Sequence, residues 1–73
     1  MTFSEIRKLN ENNYKYITAL NLIAIDLIHD GEILSDKRIG KDKTELAVRS
    51  DNILYLLRMC GNTCTTITWE VME

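Results

Sequence analysis

The chain contains no proline, one histidine and only two cysteines. Cys60 and Cys64 allow one disulfide at most, and their spacing is one residue longer than the usual zinc knuckle, with no second pair to complete a site. His29 is the only histidine available as a further ligand. We therefore expect neither a metal nor a cofactor.

The chain also lacks internal repeats, low-complexity tracts and linker-like segments, so it offers no domain boundary. Its apolar content of 45% and net charge of −2 are typical of a folded globular protein and exclude a disordered one. A domain this small buries only about 60% of the surface of its unfolded chain. We expect one domain, residues 1–73, stabilised further by association with another subunit.

The sequence predicts neither a secretion signal nor a membrane span. Residues 1–10 carry charge where a signal peptide would be apolar. The longest apolar run, residues 17–28, is interrupted by Thr18, Asn21 and Asp26 and is too short to cross a bilayer. The sequence predicts a cytoplasmic protein.

Two helices are predicted in the first half. Thr2 and Glu5 fit a capping box, which starts a helix at Phe3, and the polar cluster at residues 10–13 predicts a break. Residues 14–29 follow with apolar side chains at helical spacing, and Gly31 predicts a left-handed stop. Those apolar residues are Ile17, Leu20, Ala24, Leu27 and Ile28.

The second half predicts strands and one more helix. Ile33 and Leu34 begin a short strand, and residues 44–49 alternate as a second strand after a nine-residue loop. This loop is longer than is usual in a hairpin, so the alternatives are that the strands extend inward through Ile39 or that the loop is mobile. Residues 51–60 show helical spacing and end at Gly61, while residues 63–72 alternate as a strand. The predicted order ααββαβ gives an α+β domain whose three-stranded, mainly antiparallel sheet has helices on one face. The alternative continues one helix from residue 44 through residue 60.

The second helix is apolar over most of its circumference, so packing against one neighbouring element would leave apolar side chains in water. A domain this small has little material for a second cover. We therefore predict a homodimer, whose interface contains the following helix residues: Leu20, Leu22, Ile23 and Ile25. The alternative is that the sheet and the other helices cover this helix within one chain.

Basic residues are concentrated in one stretch, which carries Lys37, Arg38, Lys41 and Lys43. The stretch is not a Walker loop, because Asp42 follows Lys41 where serine or threonine is needed. Without interleaved aromatic residues it would support only weak, sequence-independent nucleic-acid binding. We predict a solvated hairpin tip that guides an acidic partner.

The last strand is the second predicted partner-binding element. Thr66, Thr68 and Glu70 share a face with little charge, and Trp69 lies on the opposite face. If the strand lies at a sheet edge, its unpaired N–H and C=O groups can bind another chain. If it is central, its outer face is merely solvated.

No catalytic group is predicted. Cys60 is placed at a helix C-terminus, where the partial negative charge opposes thiolate formation. His29, near Asp26 and Asp30, is expected to stabilise the helix dipole, and no nucleophile accompanies it. The sequence therefore predicts a small non-enzymatic protein that binds another protein, as phage- or plasmid-encoded regulators and inhibitors do. The alternative is a weak nucleic-acid-binding regulator whose basic loop acts as the wing of a winged helix.

Overall fold

The computed structural model describes residues 2–72. Two helices, α1 (Phe3–Glu11) and α2 (Asn13–Asp30), precede four strands. The strands are β1 (Glu32–Gly40), β2 (Lys43–Ser50), β3 (Ile53–Cys60) and β4 (Thr63–Val71), which form one antiparallel sheet in the order β1-β2-β3-β4. The predicted α+β class is confirmed, with four strands rather than three.

Local sequence signals set the two helices as predicted. The Thr2 side chain accepts a hydrogen bond from the Glu5 N–H at 3.3 Å, and Asn12 separates the helices. Gly31 ends α2 in an extended conformation (φ −92°), not in the predicted left-handed one. Glycine is needed there because a Cβ would lie 2.5 Å from Val48 Cγ1 and 2.6 Å from the Leu27 carbonyl oxygen.

The third helix predicted over residues 51–60 is strand β3, and so is the end of the alternative longer helix. Tyr55 and Leu57 point to the helices while Leu54 and Leu56 point away, so both faces of the strand are apolar. A continuous apolar run fits a helix and a central strand equally well. Hydrogen bonding to β2 and β4 on either side decides for the strand.

Tight turns connect the strands. The predicted nine-residue loop is a turn at Lys41 and Asp42, because β1 extends to Gly40. Asp42, Asp51 and Gly61 have φ of 57°, 55° and 59°, the left-handed conformation that two-residue hairpin turns require.

The core lies between the helices and one face of the sheet. Leu20 and Ala24 of α2 and Ile6 of α1 pack on the sheet, and the buried sheet residues are Val48, Leu57, Cys64 and Ile67. Strict alternation along β4 would place Cys64 and Ile67 on opposite faces of the sheet. A register shift near Thr65 places both on the helix side, since Cys64 pairs with Met59 and Thr66 with Arg58.

Asparagine side chains cover the free edge of β4. Asn10 donates from Nδ2 to the Ile67 carbonyl oxygen at 2.5 Å and accepts from the Ile67 N–H at 3.0 Å, as a neighbouring strand would. Asn13 donates to the Thr65 carbonyl oxygen, and Asn21 accepts from the Cys64 N–H. β4 is therefore an edge strand whose edge is occupied over residues 64–67 by the chain's own helices.

Replacing Asn10 with alanine tests this attachment. Asn10→Ala leaves the Ile67 N–H and C=O groups unpaired in a partly buried site, so we expect a loss of about 1–3 kcal/mol in the free energy of unfolding. Urea denaturation followed by circular dichroism measures it. Asn62→Ala, in an exposed turn, is the matched control and should change stability by less than about 0.5 kcal/mol. Equal stability of the two variants would contradict the role of Asn10.

Candidate interaction surface

The sheet face turned away from the helices has no cover among residues 2–72. We call it the open face. Because side chains alternate along a strand, the pairing registers define its members. They are Glu32, Ser35, Lys37 and Gly40 of β1; Lys43, Glu45, Ala47 and Arg49 of β2; Leu54, Leu56, Arg58 and Cys60 of β3; and Thr63, Thr66, Thr68 and Glu70 of β4.

The centre of the open face is apolar. Leu56 lies between Ala47 and Thr68 of the neighbouring strands, and Leu54 lies one row further along β3. Neighbouring side chains half bury both leucines, but no helix touches this side of the sheet. The arrangement has the anatomy of a protein interface, an apolar centre within a polar rim. Because residues 51–60 were predicted to form a helix, the sequence did not predict that these two leucines lie on a sheet face.

Charged residues surround that centre. Four cationic side chains and three carboxylates give the open face a net charge of +1, whereas the whole chain carries −2. Arg58 Nε lies 3.4 Å from the Glu45 carboxylate, the one ion pair formed on this face among residues 2–72. A groove of about 470 Å³ at the cationic corner is lined by Lys43 and Arg58, together with Ile39 of β1.

The structure divides the predicted basic cluster between two faces. Lys37 and Lys43 lie on the open face, where they pair in register with Glu45 and Gly40 respectively. Arg38 pairs with Thr44 on the opposite, helix-side face, and Lys41 occupies the turn. Only part of the cluster can therefore meet the same partner surface.

The last strand is divided in the same way. Thr66, Thr68 and Glu70 belong to the open face as predicted. Trp69 lies on the helix side, where its ring stacks on Phe3 with centroids 4.8 Å apart and the Arg7 guanidinium lies 5.5 Å from its centroid. Trp69 is therefore mainly a packing residue, in contact with a depression of about 280 Å³ that Arg7, Asn10 and Thr68 also line.

The predicted dimer residues also separate. The Leu20 side chain has no exposed surface, so its assignment to a subunit interface is corrected: it belongs to the core. Ile23 is half-buried beside Ile6. Leu22 and Ile25 are each 61% exposed, and their contact with a partner stays a prediction.

β1 was not among the predicted interface elements. All nine of its residues are exposed, and three of them are large apolar side chains. They are Ile33, Leu34 and Ile39, with exposed fractions of 49%, 50% and 44%. The sequence predicted a short strand followed by a long loop here, and a loop has no continuous backbone edge. The free edge of β1 was therefore not predicted.

The titratable groups form no reactive constellation. Asp30 accepts a hydrogen bond from His29 at 2.9 Å and raises the pKa of this exposed imidazole. Burial raises the pKa of the Cys64 thiol to about 11, and a backbone hydrogen bond at Thr66 offsets part of this rise. Residues 2–72 contain no cluster of three His, Cys, Asp or Glu side chains placed to share a metal ion. Neither described helix is both long and apolar enough to cross a bilayer.

The two thiols should differ in reactivity. The thiolate is the reacting form, so a pKa near 11 and burial protect Cys64 at pH 8, whereas Cys60 is exposed. We expect iodoacetamide to add one label to the native chain and two to the unfolded chain, counted by intact mass. Native Cys60→Ser should take up none. Rapid double labelling of the native protein would contradict the buried position of Cys64.

The chain matches no known protein-family model, no curated protein and no solved structure. Its own residues, contacts and charges are therefore what supports a function.

Proposed function

We propose that the protein is a small non-enzymatic regulator or inhibitor that covers a surface of another protein with its open face, and that it does so as a homodimer. The observation that carries the proposal is the uncovered pair Leu54 and Leu56 at the centre of a four-stranded sheet face. Apolar side chains grouped within a polar rim favour contact with a partner, because the partner removes them from water.

The charges on the open face favour an acidic partner. Lys37, Lys43 and Arg49 have exposed side chains, and each stands on the rim around the two leucines. Such cations raise the rate of encounter with a surface of opposite charge more than they raise the final affinity. The partner that fits is therefore a protein with an apolar patch bordered by carboxylates.

Action in the cytoplasm and a non-enzymatic role belong to the same proposal. Cys60 and Cys64 are free thiols, which is the usual state in a reducing compartment. The cavities among residues 2–72 are open depressions, and none brings a nucleophile beside a general base. A phage- or plasmid-encoded origin fits a compact regulator of this kind.

Nucleic acid is the second candidate, supported by the four cations of the open face. Three carboxylates, Glu32, Glu45 and Glu70, oppose it. Single-stranded nucleic acids bind such a sheet by stacking their bases on its aromatic side chains. The open face has no aromatic residue, since Tyr55 and Trp69 both point to the helices. The two-helix order also lacks the third helix that precedes the wing in a winged helix.

Substitution at the centre of the open face tests protein binding. We expect Leu56→Glu to reduce at least tenfold the recovery of one specific protein that the wild-type chain captures from cells of its source. Quantitative mass spectrometry of affinity-purified material measures the recovery. Tyr14→Glu, at a helix position that is 99% exposed, is the matched control and should capture as much as wild type.

Circular dichroism must show that Leu56→Glu remains folded. Equal recovery with folded Leu56→Glu and wild type would contradict the assignment of the open face. A loss with Tyr14→Glu as well would place the binding surface on the helices.

Titration of labelled single- and double-stranded DNA separates the two candidates. We expect no saturable rise in fluorescence anisotropy below about 100 µM protein at 150 mM salt, because repelling carboxylates accompany the cations. Tight binding that weakens steeply with salt, and is lost in a Lys37→Glu, Lys43→Glu variant, would favour the nucleic-acid function instead.

A further inference from the structure

The two edges of the sheet differ sharply. Asparagine side chains from α1 and α2 occupy the edge of β4 over residues 64–67. Along β1, the only side-chain hydrogen bond to a main-chain group within residues 2–72 is the one from Arg38 Nε to the Gly40 carbonyl oxygen. Among residues 2–72, β1 pairs only with β2, so its other side is a free strand edge. Register shifts near Leu34 and Ile39 leave residues 35–38 as its regular stretch. Such an edge binds a further strand.

Exposed apolar residues accompany the free edge. Ile33, Leu34 and Ile39 lie on β1 itself.

Two charged residues of β1 indicate which molecule pairs with its free edge. Asp36 and Arg38 both point to the helix side of the sheet, opposite Leu46 and Thr44 of β2. Neither belongs to the ion pairs formed within residues 2–72, which are His29 with Asp30 and Arg58 with Glu45. Opposite charges two residues apart on one face of an edge strand are self-complementary, because an antiparallel copy reverses their order.

From this arrangement we infer that β1 pairs antiparallel with β1 of a second copy, about a two-fold axis at Lys37. Asp36 of each copy then lies directly opposite Arg38 of the other, on the same face of the sheet. The two Lys37 side chains meet at the axis on the open face, and each has Glu45 as its direct neighbour on β2. The inference rests on the homodimer of the proposed function and identifies its interface.

Neighbouring registers lack this complementarity. An axis at Asp36 would place two carboxylates opposite each other with no opposite-charge pair beside them, whereas the two lysines at the Lys37 axis are flanked by two Asp36–Arg38 pairs. An axis at Ser35 would place Asp36 opposite Leu34. The Lys37 register joins the two sheets into one of eight strands, with both helix pairs on one side and both open faces on the other. The protein-binding surface is then continuous across the dimer.

Charge reversal tests the register. Asp36→Arg places arginine opposite Arg38 of the second copy, and Arg38→Asp places aspartate opposite Asp36, so each single variant creates two like-charge pairs. We expect each to raise the dimer dissociation constant about tenfold or more in sedimentation velocity at low salt. The swapped variant with both changes restores both pairs, and its constant should return to within about threefold of wild type.

Mixing the single variants gives the sharpest result. In a heterodimer of Asp36→Arg with Arg38→Asp, both cross-subunit pairs join opposite charges. An equimolar mixture should therefore dimerise at concentrations at which each variant alone is monomeric. Lys8→Glu with Glu11→Lys, exposed positions on α1, serves as the matched charge control and should dimerise as wild type does.

A cross-link tests the axis directly. In a Cys60→Ser background, Lys37→Cys places two thiols at the two-fold axis, within the Cα separation that a disulfide allows. Oxidation should yield a covalent dimer on a non-reducing gel. Glu45→Cys in the same background is the control, because three strand spacings, roughly 14 Å, separate the two copies of that residue.

The β1 interface and the homodimer are tested by different outcomes. A dimer that persists in both single variants, and that the Lys37→Cys change does not cross-link, would overturn the β1 interface and leave the homodimer in place. A wild-type chain that stays monomeric at 100 µM would overturn the homodimer together with its interface. The effect of Leu56→Glu on partner capture is read independently of both.

Discussion

Two short helices can cover only part of one face of a four-stranded sheet, and this limit governs the rest of the structure. α2 places Leu20 and Ala24 over the buried side chains of the sheet, and both helices pack against β4. Within residues 2–72, no helix covers β1 or the open face, so these surfaces face solvent.

Asparagines determine which part of the sheet is covered. By pairing with Ile67, Thr65 and the Cys64 N–H, they fix the helices at the β4 edge. The same contacts satisfy main-chain groups that would otherwise attract a foreign strand. The predicted role of β4 as an open edge is thereby restricted, and the free edge is β1 at the other side of the sheet. These asparagines thus stabilise the fold and protect the edge of β4 over residues 64–67.

The two proposed surfaces are geometrically independent. Leu54 and Leu56 point out of the sheet plane, whereas the β1 edge lies within it. One molecule can therefore pair through β1 and bind a partner through the open face at the same time. Different substitutions can therefore test the proposed partner binding and the proposed dimerisation separately.

Local signals in the sequence determined α1, α2, the hairpin of β1 with β2 and the strand β4, because caps and alternation act between near neighbours. They could not determine β3, whose leucines fit a helix as well as a strand that is apolar on both faces. Nor could they identify Leu20 as core, since helical periodicity does not distinguish a chain's own cover from a partner's. Only the tertiary structure decided these points. β3 is a strand because it pairs on both sides, and a register shift near Thr65 sets the faces of β4. The asparagine contacts join residues far apart in sequence, so no local pattern encodes them.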